Sequence, residues 1–386
     1  MTTDDRQRAT RELKFRDPAR AAALAAALAR TVEAIGRPRV TVMHVCGSHE
    51  QAIARFGLRS ILPPALDLVM GPGCPVCVTD QQEIDEAVAL ADSGIAVATY
   101  GDMLRVPGTT RSLADARAEG ARVHVVYSIG DAVELARRDR SPLVFFASGF
   151  ETTAVATAAA LVSGTPENFF VLSAHRYIPP AMELVAAIPG SRVEGFVAAG
   201  HAATITGWGV FEPLAERTGL PVVVAGFEPL DILAALATLA SQIHDGRHDV
   251  QNAFPRCVTR EGNQRALARL WRVFEPATSR WRGIADVPGG SLALRPAWAH
   301  LDAHRVFDLG SRPALEPSAI TRQCLCGSIL SGIAVPDDCP LFGRECVPAS
   351  PVGACMVSTE GTCRIAHEYG GRMDLNAVGR AAARTA

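Results

Sequence analysis

Cysteine is the residue type that most constrains the chemistry of this sequence, and nine of its ten cysteines fall into two groups. The first group is Cys46 in CGSHE with Cys74 and Cys77 in GPGCPVC. CPVC has the CxxC form shared by metal sites and dithiol redox couples. Three thiolates that leave one coordination position open would suit a site that loads and releases its metal. Cys257 stands alone, which is typical of a small buried apolar residue.

The second group lies in a segment rich in Cys, Gly and Pro. Its six members are Cys324, Cys326, Cys339, Cys346, Cys355 and Cys363. Four convergent thiolates are the usual requirement for a structural zinc ion or a 4Fe-4S cluster. Only Cys324 and Cys326 lie close together, too tightly for the usual zinc knuckle. The residues leave three alternatives: an iron–sulfur cluster, which the wide spacing favours, a zinc site, or thiol redox chemistry without a metal.

Polar candidates accompany the first group. His49 and Glu50 follow Cys46, where a histidine could hold a ligand or move a proton; the alternative is that both face solvent on a first helical turn. Further along, a Thr pair after a Gly turn is either a helix cap or a catalytic element. These later candidates are Glu151, Thr152 and Thr153 in GFETT, and His175 and His201 at the starts of the next two loops.

These candidates all follow short apolar runs that helical stretches separate, a pattern that predicts a parallel sheet with crossover helices. Three runs in the first half (VTVMHV, LDLVM, IAVATY) are answered by three in the second (LVFFA, FFVLS, GFVAA), about one hundred residues later. A duplication of this kind predicts two similar domains whose polar loops lie at the carboxyl ends of the strands, where open α/β sheets bind ligands.

We therefore expect an α/β fold with two Rossmann-like parallel-sheet domains facing a cleft, and a third, irregular domain that carries an iron–sulfur cluster. The predicted divisions are an N-terminal helical segment (1–39), two α/β domains (40–140 and 141–235) and the cluster domain (236–386). A helix is expected over 11–36, and Thr79 or Asp80 should cap the helix that follows Cys77. Segment 324–363 has so little helix or strand propensity that a bound metal would have to organise it.

Composition excludes several function classes. The chain has 386 residues, of which 48% are hydrophobic and 20% charged, and a net charge of −2. Its scattered arginines and near-neutral charge argue against nucleic-acid binding. Neither a membrane-spanning run nor a signal peptide is visible, so we expect a cytoplasmic protein. In that reducing compartment, metal binding or thiol chemistry explains ten cysteines better than structural disulfides do.

The segments CGSHE, GPGCPVC, GFETT and CMVSTEGTC resemble, in order and spacing, the signature segments of the HypD maturation factors of nickel–iron hydrogenases. The resemblance spans nearly the whole chain. It implies a 4Fe-4S cluster held by Cys324, Cys339, Cys346 and Cys363, which are separated by fourteen, six and sixteen residues. Cys326 and Cys355 would then lie outside the ligand set.

The resemblance also implies a function: a scaffold on which the Fe(CN)2CO moiety of the hydrogenase is assembled, in complex with the chaperone HypC and with cyanide received from HypE. Cys46, Cys74 and Cys77 would bind the iron, and electrons would pass through the cluster and the Cys74–Cys77 pair. Glu360, in EGTC, matches a family position implicated in function. One departure is Ala199, where the family tends to carry Pro two residues before the histidine that is His201 here.

Two other functions fit the residues. A cluster-dependent thiol–disulfide oxidoreductase would cycle Cys74 and Cys77 without holding substrate iron, and it would have no need of Cys46. A zinc-stabilised binding module would have no redox chemistry, and it would be colourless where a 4Fe-4S protein is brown.

Overall fold

A computed structural model describes residues 15–311 and 315–370 and contains two parallel sheets, which confirms the predicted α/β class. The first sheet has five strands. In spatial order they are β2 (Leu66–Met70), β1 (Val40–His44), β7 (Val193–Ala199), β8 (Val222–Ala225) and β9 (Val250–Asn252). All neighbouring pairs are parallel.

The second sheet has four strands, again all parallel. In spatial order they are β4 (Val123–Val126), β3 (Ala96–Tyr100), β5 (Leu143–Gly149) and β6 (Phe169–His175). Strand β5 is buried along its whole length, as expected where helices cover both faces of a parallel sheet. Its sequence, LVFFASG, accordingly lacks the alternation of a half-exposed strand.

The predicted repeat is visible in the strand order. Neighbours β2-β1-β7-β8 of the first sheet correspond to β6-β5-β3-β4 of the second, and each strand matches the one about one hundred residues away. Each sheet therefore takes two of these strands from each half of the chain. The sheets do not coincide with the predicted ranges 40–140 and 141–235, because an apolar run indicates that a strand is buried but not which strand it pairs with.

Helices connect the strands and cover the sheets. The α-helices of the two-sheet region are Pro18–Ile35, Gly47–Arg55, Pro75–Val78, Gln81–Asp92, Gly101–Leu104, Leu113–Ala118, Ile129–Arg138, Glu151–Ser163, Ile178–Ala187, Gly200–Thr206, Glu212–Thr218 and Pro229–His244, with 3-10 turns at Leu58–Ile61 and Trp208–Phe211.

The predicted N-terminal helix begins at Pro18 and ends at Ile35. The Asp17 side chain accepts a hydrogen bond from the Arg20 amide at its start, and Gly36 closes it with a φ of 69°. It packs against helix Pro229–His244, which also covers the first sheet. Residues 11–14 of the prediction lie outside the described residues.

The remainder is irregular, as expected. Helix Gln264–Val273 leads into an antiparallel hairpin of β10 (Phe274–Trp281) and β11 (Ala285–Leu294). The short helices that follow are Pro296–Leu301, Ala303–Val306, Leu309–Ser311, Thr321–Gln323, Cys326–Leu330, Pro336–Asp338, Ala354–Met356 and Thr362–Tyr369. Across residues 15–311 and 315–370, no helix is both long and apolar enough to cross a membrane.

Candidate functional site

Cys46 lies where β1 ends and helix Gly47–Arg55 begins, and its side chain is buried. The Gly47 amide donates to the Gly73 carbonyl at 3.2 Å, which joins the CGSHE loop to the GPGCPVC loop. A Cβ on Gly73 would overlap the backbone between Val45 and Cys46, so this approach requires glycine. The two loops thus meet backbone to backbone.

Cys74 and Cys77 form a disulfide whose Cα atoms are 5.3 Å apart. Both are fully buried, and the Cys77 amide donates to the Cys74 sulfur at 3.3 Å. Helix Gln81–Asp92 follows at once and is capped by Asp80, whose own amide donates to Glu83 at 2.9 Å. The predicted cap at Asp80 is confirmed. The backbone contacts described above join the Cys46 loop to the CPVC loop, while a shared metal site of the three thiols stays a prediction.

His201 is the polar group next to the Cys46 thiol. It begins helix Gly200–Thr206, and its Nδ1 lies 3.9 Å from the Cys46 sulfur. Burial raises the pKa of Cys46 to about 12 and lowers the pKa of His201. Burial therefore favours a protonated thiol beside a neutral imidazole.

His49 does not face solvent, because it is completely buried. Its Nε2 donates to the Gly226 carbonyl at 3.0 Å, and burial lowers its pKa to about 3. The Phe227 ring stacks on His49 with centroids 4.8 Å apart, lies 5.1 Å from the His201 ring and packs against Cys46. Phe227 carries no sequence signal and was missed; its ring lies between the two histidines and packs against the small apolar cluster of Cys46, Ala199 and Ala202.

Glu50 is also buried, and its contacts are structural. Its carboxylate accepts from His44 Nε2 at 2.8 Å and from Arg59 at 2.7 Å. Burial alone would raise the pKa of Glu50, but the charge of Arg59 and the bond from His44 lower it below its usual range. The other nitrogen of His44 lies 3.2 Å from the Cys46 carbonyl oxygen, so this network, which the sequence did not indicate, holds the backbone of Cys46.

The GFETT group lies one helix away from Cys46. Glu151 begins helix Glu151–Ser163, which packs against the helix that carries His201. Its buried carboxylate accepts from the Ile178 amide at 2.9 Å, and burial raises its pKa to about 7. Thr152 and Thr153 occupy the same first turn.

His175, at the end of β6, is held by a side chain of that same helix. Its Nε2 lies 2.9 Å from the Thr157 hydroxyl, and burial lowers its pKa to about 3. The ring is fully buried at the carboxyl edge of the second sheet. His175 is therefore packed inside the region of the second sheet. The sequence alone had left its role open.

Glu360 connects the C-terminal segment to the first loop. Its carboxylate accepts from the Ser48 hydroxyl at 2.6 Å. Helix Thr362–Tyr369, which begins two residues later and contains Cys363, packs against helix Gly47–Arg55. The EGTC motif therefore contacts the CGSHE motif, although Ser48 and Glu360 are 312 residues apart in the sequence.

The C-terminal cysteines gather around Cys326. Its thiol contacts those of Cys324, Cys355 and Cys363, and Cys355 also contacts Cys363. Bonds from neighbouring thiols lower the pKa of Cys363 to about 6 and raise the pKa values of Cys355 and Cys324. Cys346 accepts from the Val352 amide at 3.4 Å.

Their chemistry fits a thiolate-bound group, since five of these six thiols are buried and Cys324 is half-buried. The predicted ligands Cys324 and Cys363 belong to the same group of contacting thiols as Cys326 and Cys355. The other two predicted ligands, Cys339 and Cys346, are also buried. Over 15–311 and 315–370, no three His, Cys, Asp or Glu residues have the arrangement of a metal site. The ligand set stays a prediction.

The two cysteine groups are neighbours. Helix Pro75–Val78, which contains Cys77, packs against the turn Ala354–Met356, which contains Cys355. The Ser358 hydroxyl also donates to Asp102 at 3.3 Å; Asp102 lies in helix Gly101–Leu104, directly after β3. Cys257, by contrast, is exposed, so the expectation that it is buried was wrong; it lies in a polar turn after β9.

The sequence of the whole chain was compared with known proteins. Residues 19–370 match the family described as "HypD: Hydrogenase formation hypA family". The chain belongs to the HypD family. It is 44% identical to a putative hydrogenase expression/formation protein of Methanocaldococcus jannaschii (86% of this chain, 92% of that one) and 43% identical to the hydrogenase maturation factor HypD of Azotobacter vinelandii (92% and 96%). HypD of Cupriavidus necator is 40% identical over 95% of this chain and all of that one.

HypD membership confirms the resemblance drawn from the four motifs. Three of those motifs, CGSHE, GPGCPVC and the closing EGTC segment, are in mutual contact in this HypD chain. The fourth, GFETT, reaches them through helix Gly200–Thr206. The motifs that identify the family thus surround the Cys46 thiol.

Proposed function

We propose that this chain acts in hydrogenase maturation, in the cytoplasm, as the scaffold on which iron acquires its cyanide and carbonyl ligands. The observation that supports this most is the position of the Cys46 thiol, which lies beside His201 and the loop of the Cys74–Cys77 disulfide. Soft thiolate ligands suit an iron centre with strong-field ligands. The partners would be a HypC-type chaperone and, transiently, a HypE-type cyanide donor.

Cys46 would bind the substrate iron together with the reduced Cys74 and Cys77, and the metal would displace the proton of the Cys46 thiol. His201 would position this thiol. His49 and Phe227 would keep water away from this thiolate, because His49 is fully buried and Phe227 packs against the apolar cluster that contains Cys46. Glu151, Thr152, Thr153 and Glu360 would position the surrounding loops. These assignments follow from contacts with the Cys46 loop rather than from a bound ligand.

The redox step requires two electrons. Release of cyanide from a thiocyanate breaks a sulfur–carbon bond and leaves a thiolate and cyanide. If Cys74 and Cys77 supply the electron pair, they form the disulfide seen here and release two protons. A 4Fe-4S cluster on Cys324, Cys339, Cys346 and Cys363 would supply electrons singly. Packing of helix Pro75–Val78 on the Cys355 turn would make the path between them short.

The test is performed on anaerobically purified protein with its HypC-type partner, with infrared spectroscopy for bound CN and CO. We expect Cys46→Ala to abolish these bands and hydrogenase maturation, while Cys257→Ala, which removes an exposed thiol, leaves both unchanged. Bands of wild-type intensity in Cys46→Ala would contradict the scaffold.

A cluster-dependent thiol–disulfide oxidoreductase is the second candidate, because the Cys74–Cys77 disulfide packs against a second group of thiols. This enzyme would hold no substrate iron. Its disulfide reductase activity would survive Cys46→Ala and be lost in Cys74→Ala. The same pair of variants therefore separates the two functions.

A further inference from the structure

Cys46 is buried, with 1% exposure, so a ligand can reach its thiol only if part of its surroundings moves. Two of the surrounding elements are held by buried contacts. The GPGCPVC loop meets the Cys46 backbone through Gly73, and His44 binds the buried carboxylate of Glu50. The loop 226–228, which follows β8, is held from outside instead.

This loop contributes two groups next to the Cys46 thiol. The Gly226 carbonyl accepts from His49 Nε2 at 3.0 Å. The half-buried Phe227 ring lies 4.8 Å from the His49 ring and 5.1 Å from the ring of His201, whose Nδ1 is 3.9 Å from the Cys46 sulfur. A movement of the loop would therefore displace contacts of both histidines.

On its outer side, the loop is held by the two residues Phe15 and Arg16, which precede the N-terminal helix. Both carboxylate oxygens of Glu228 accept from the Arg16 guanidinium, one of them at 2.9 Å. Two residues further on, the Leu230 amide donates to the Phe15 carbonyl at 3.2 Å. The Phe15 ring lies under the guanidinium of Arg256, 4.2 Å from the ring centre.

Arg256 connects this outer contact to the aromatic rings at the site. Its guanidinium also lies over the Phe254 ring, at 4.4 Å, and Phe254 meets Phe227 edge-on with centroids 6.3 Å apart. Arg16 in addition lies 5.4 Å from the ring centre of Phe56, directly after the CGSHE helix. The segment before the N-terminal helix thus contacts both elements that meet at the thiol.

These outer contacts are the weakest that surround the site. The side chains of Arg16 and Glu228 are 45% and 32% exposed, and water screens an ion pair at such exposure. Arg256 is exposed as well. Local opening of a folded protein begins where contacts are exposed and few are buried. The loop can therefore open while the two sheets stay folded.

We propose that Phe15 and Arg16 form a latch on the loop 226–228, and that release of this latch opens the path by which small ligands reach Cys46. While the latch is closed, it positions Phe227 between the two histidines. Phe15 and Arg16 are positioning residues, since they act through the loop. This inference rests on the proposed function, in which Cys46 takes up iron, and it identifies the side from which that iron enters.

Opening is measured as the rate at which iodoacetamide alkylates Cys46 in the full-length, anaerobically purified protein, with peptide mass spectrometry as the readout. No reductant is added, so the Cys74–Cys77 disulfide stays closed. Two further cysteines serve as references in the same chain. Cys257 is exposed and reports the reactivity of the reagent, whereas Cys355 is fully buried and reports general unfolding.

We expect Arg16→Ala to speed alkylation of Cys46 about fivefold, because the loop loses its exposed ion pair. The two reference cysteines should keep their wild-type rates. Arg16→Lys, which can still pair with Glu228, should restore most of the wild-type rate at Cys46.

Phe15→Ala should accelerate the reaction similarly. It leaves every charge in place, so it separates opening of the loop from an electrostatic effect on the thiol. Arg20→Ala is the matched control, since it removes an exposed arginine four residues beyond Arg16 and should change nothing.

A wild-type rate at Cys46 in both Arg16→Ala and Phe15→Ala would overturn the latch. Equal acceleration at Cys46 and Cys355 would also overturn it, because the variants would then destabilise the whole chain. Neither result would alter the CN and CO bands that test the scaffold. Loss of the scaffold function would in turn leave the alkylation rates measurable, so the two ideas fail separately.

Discussion

The two cysteine groups are held in place by different means. Cys46, Cys74 and Cys77 follow strands of a parallel sheet, and backbone bonds and a helix cap fix their loops. The C-terminal group spans residues 324–363, where the longest helix before Thr362 has five residues, Cys326–Leu330. Buried thiols form much of the interior of that segment.

Under the proposed function, this difference would separate a site that the fold preorganises from a segment that a bound group organises. The first would bind and release iron while its loops keep their shape. The second combines short elements with buried thiols, so its order would depend on what those thiolates bind. The predictions below test that contrast.

The largest effect is expected from removing a C-terminal ligand. If the cysteines at the family spacing are the ligands, Cys339→Ala should lose the brown colour and nearly all of about four irons per chain. Cys326→Ala, which removes a thiol outside that set, should keep both. Iron and acid-labile sulfide analysis of anaerobic preparations measures this. The opposite pattern would show that the thiols clustered around Cys326, rather than those at the family spacing, hold the metal.

Removing iron should loosen one region only. Chelation of the purified protein should speed tryptic cleavage at the exposed Arg344 by about tenfold, because local unfolding exposes the segment that the thiolates held together. Cleavage at the exposed Arg138, on helix Ile129–Arg138, is the internal control and should stay slow. Equal acceleration at both sites would mean that the metal stabilises the whole chain.

The preorganised site should instead depend on backbone contact. Gly73→Ala places a Cβ on the backbone between Val45 and Cys46, and we expect a loss of about 3 kcal/mol in the free energy of unfolding. Gly130→Ala, on the first turn of an exposed helix where a Cβ has room, should change it by less than about 1 kcal/mol. Urea titration of both variants measures the difference; similar losses would remove the argument for close approach.

The last prediction concerns how the free energy of unfolding varies with pH. Burial raises the pKa of Glu151 from 4.5 to about 7, so the folded protein binds a proton that the unfolded chain has released between these values. Stability therefore falls as pH rises from 4.5 to 7, by roughly 3 kcal/mol in total. Glu151→Gln should match wild type at pH 4.5 and be more stable at pH 8.

The matched control for this carboxylate is Glu216→Gln, which removes an exposed carboxylate. Thermal unfolding across the pH range measures both variants. If Glu151→Gln follows the wild-type curve at every pH, the carboxylate is ionised in the folded protein and its burial is compensated.

The sequence predicted most of the strands, because runs such as LDLVM and LVFFA are apolar and bounded by turn residues. It also located the Cys46 and CPVC loops and the Asp80 cap. It could not pair β1 with β7, since pairing between distant strands leaves no local pattern. For the same reason Phe227 and His44 were missed: each matters through contacts with residues on another element.

The interleaved sheets have a consequence for synthesis of the chain. Strands β3 to β6 are consecutive, so the second sheet can form as soon as Phe169–His175 has left the ribosome. Strand β1 has only β2 beside it until Val193–Ala199 emerges. The surroundings of Cys46 are therefore completed late, after the intervening sheet, because His201 and Phe227 both follow β7 in the chain.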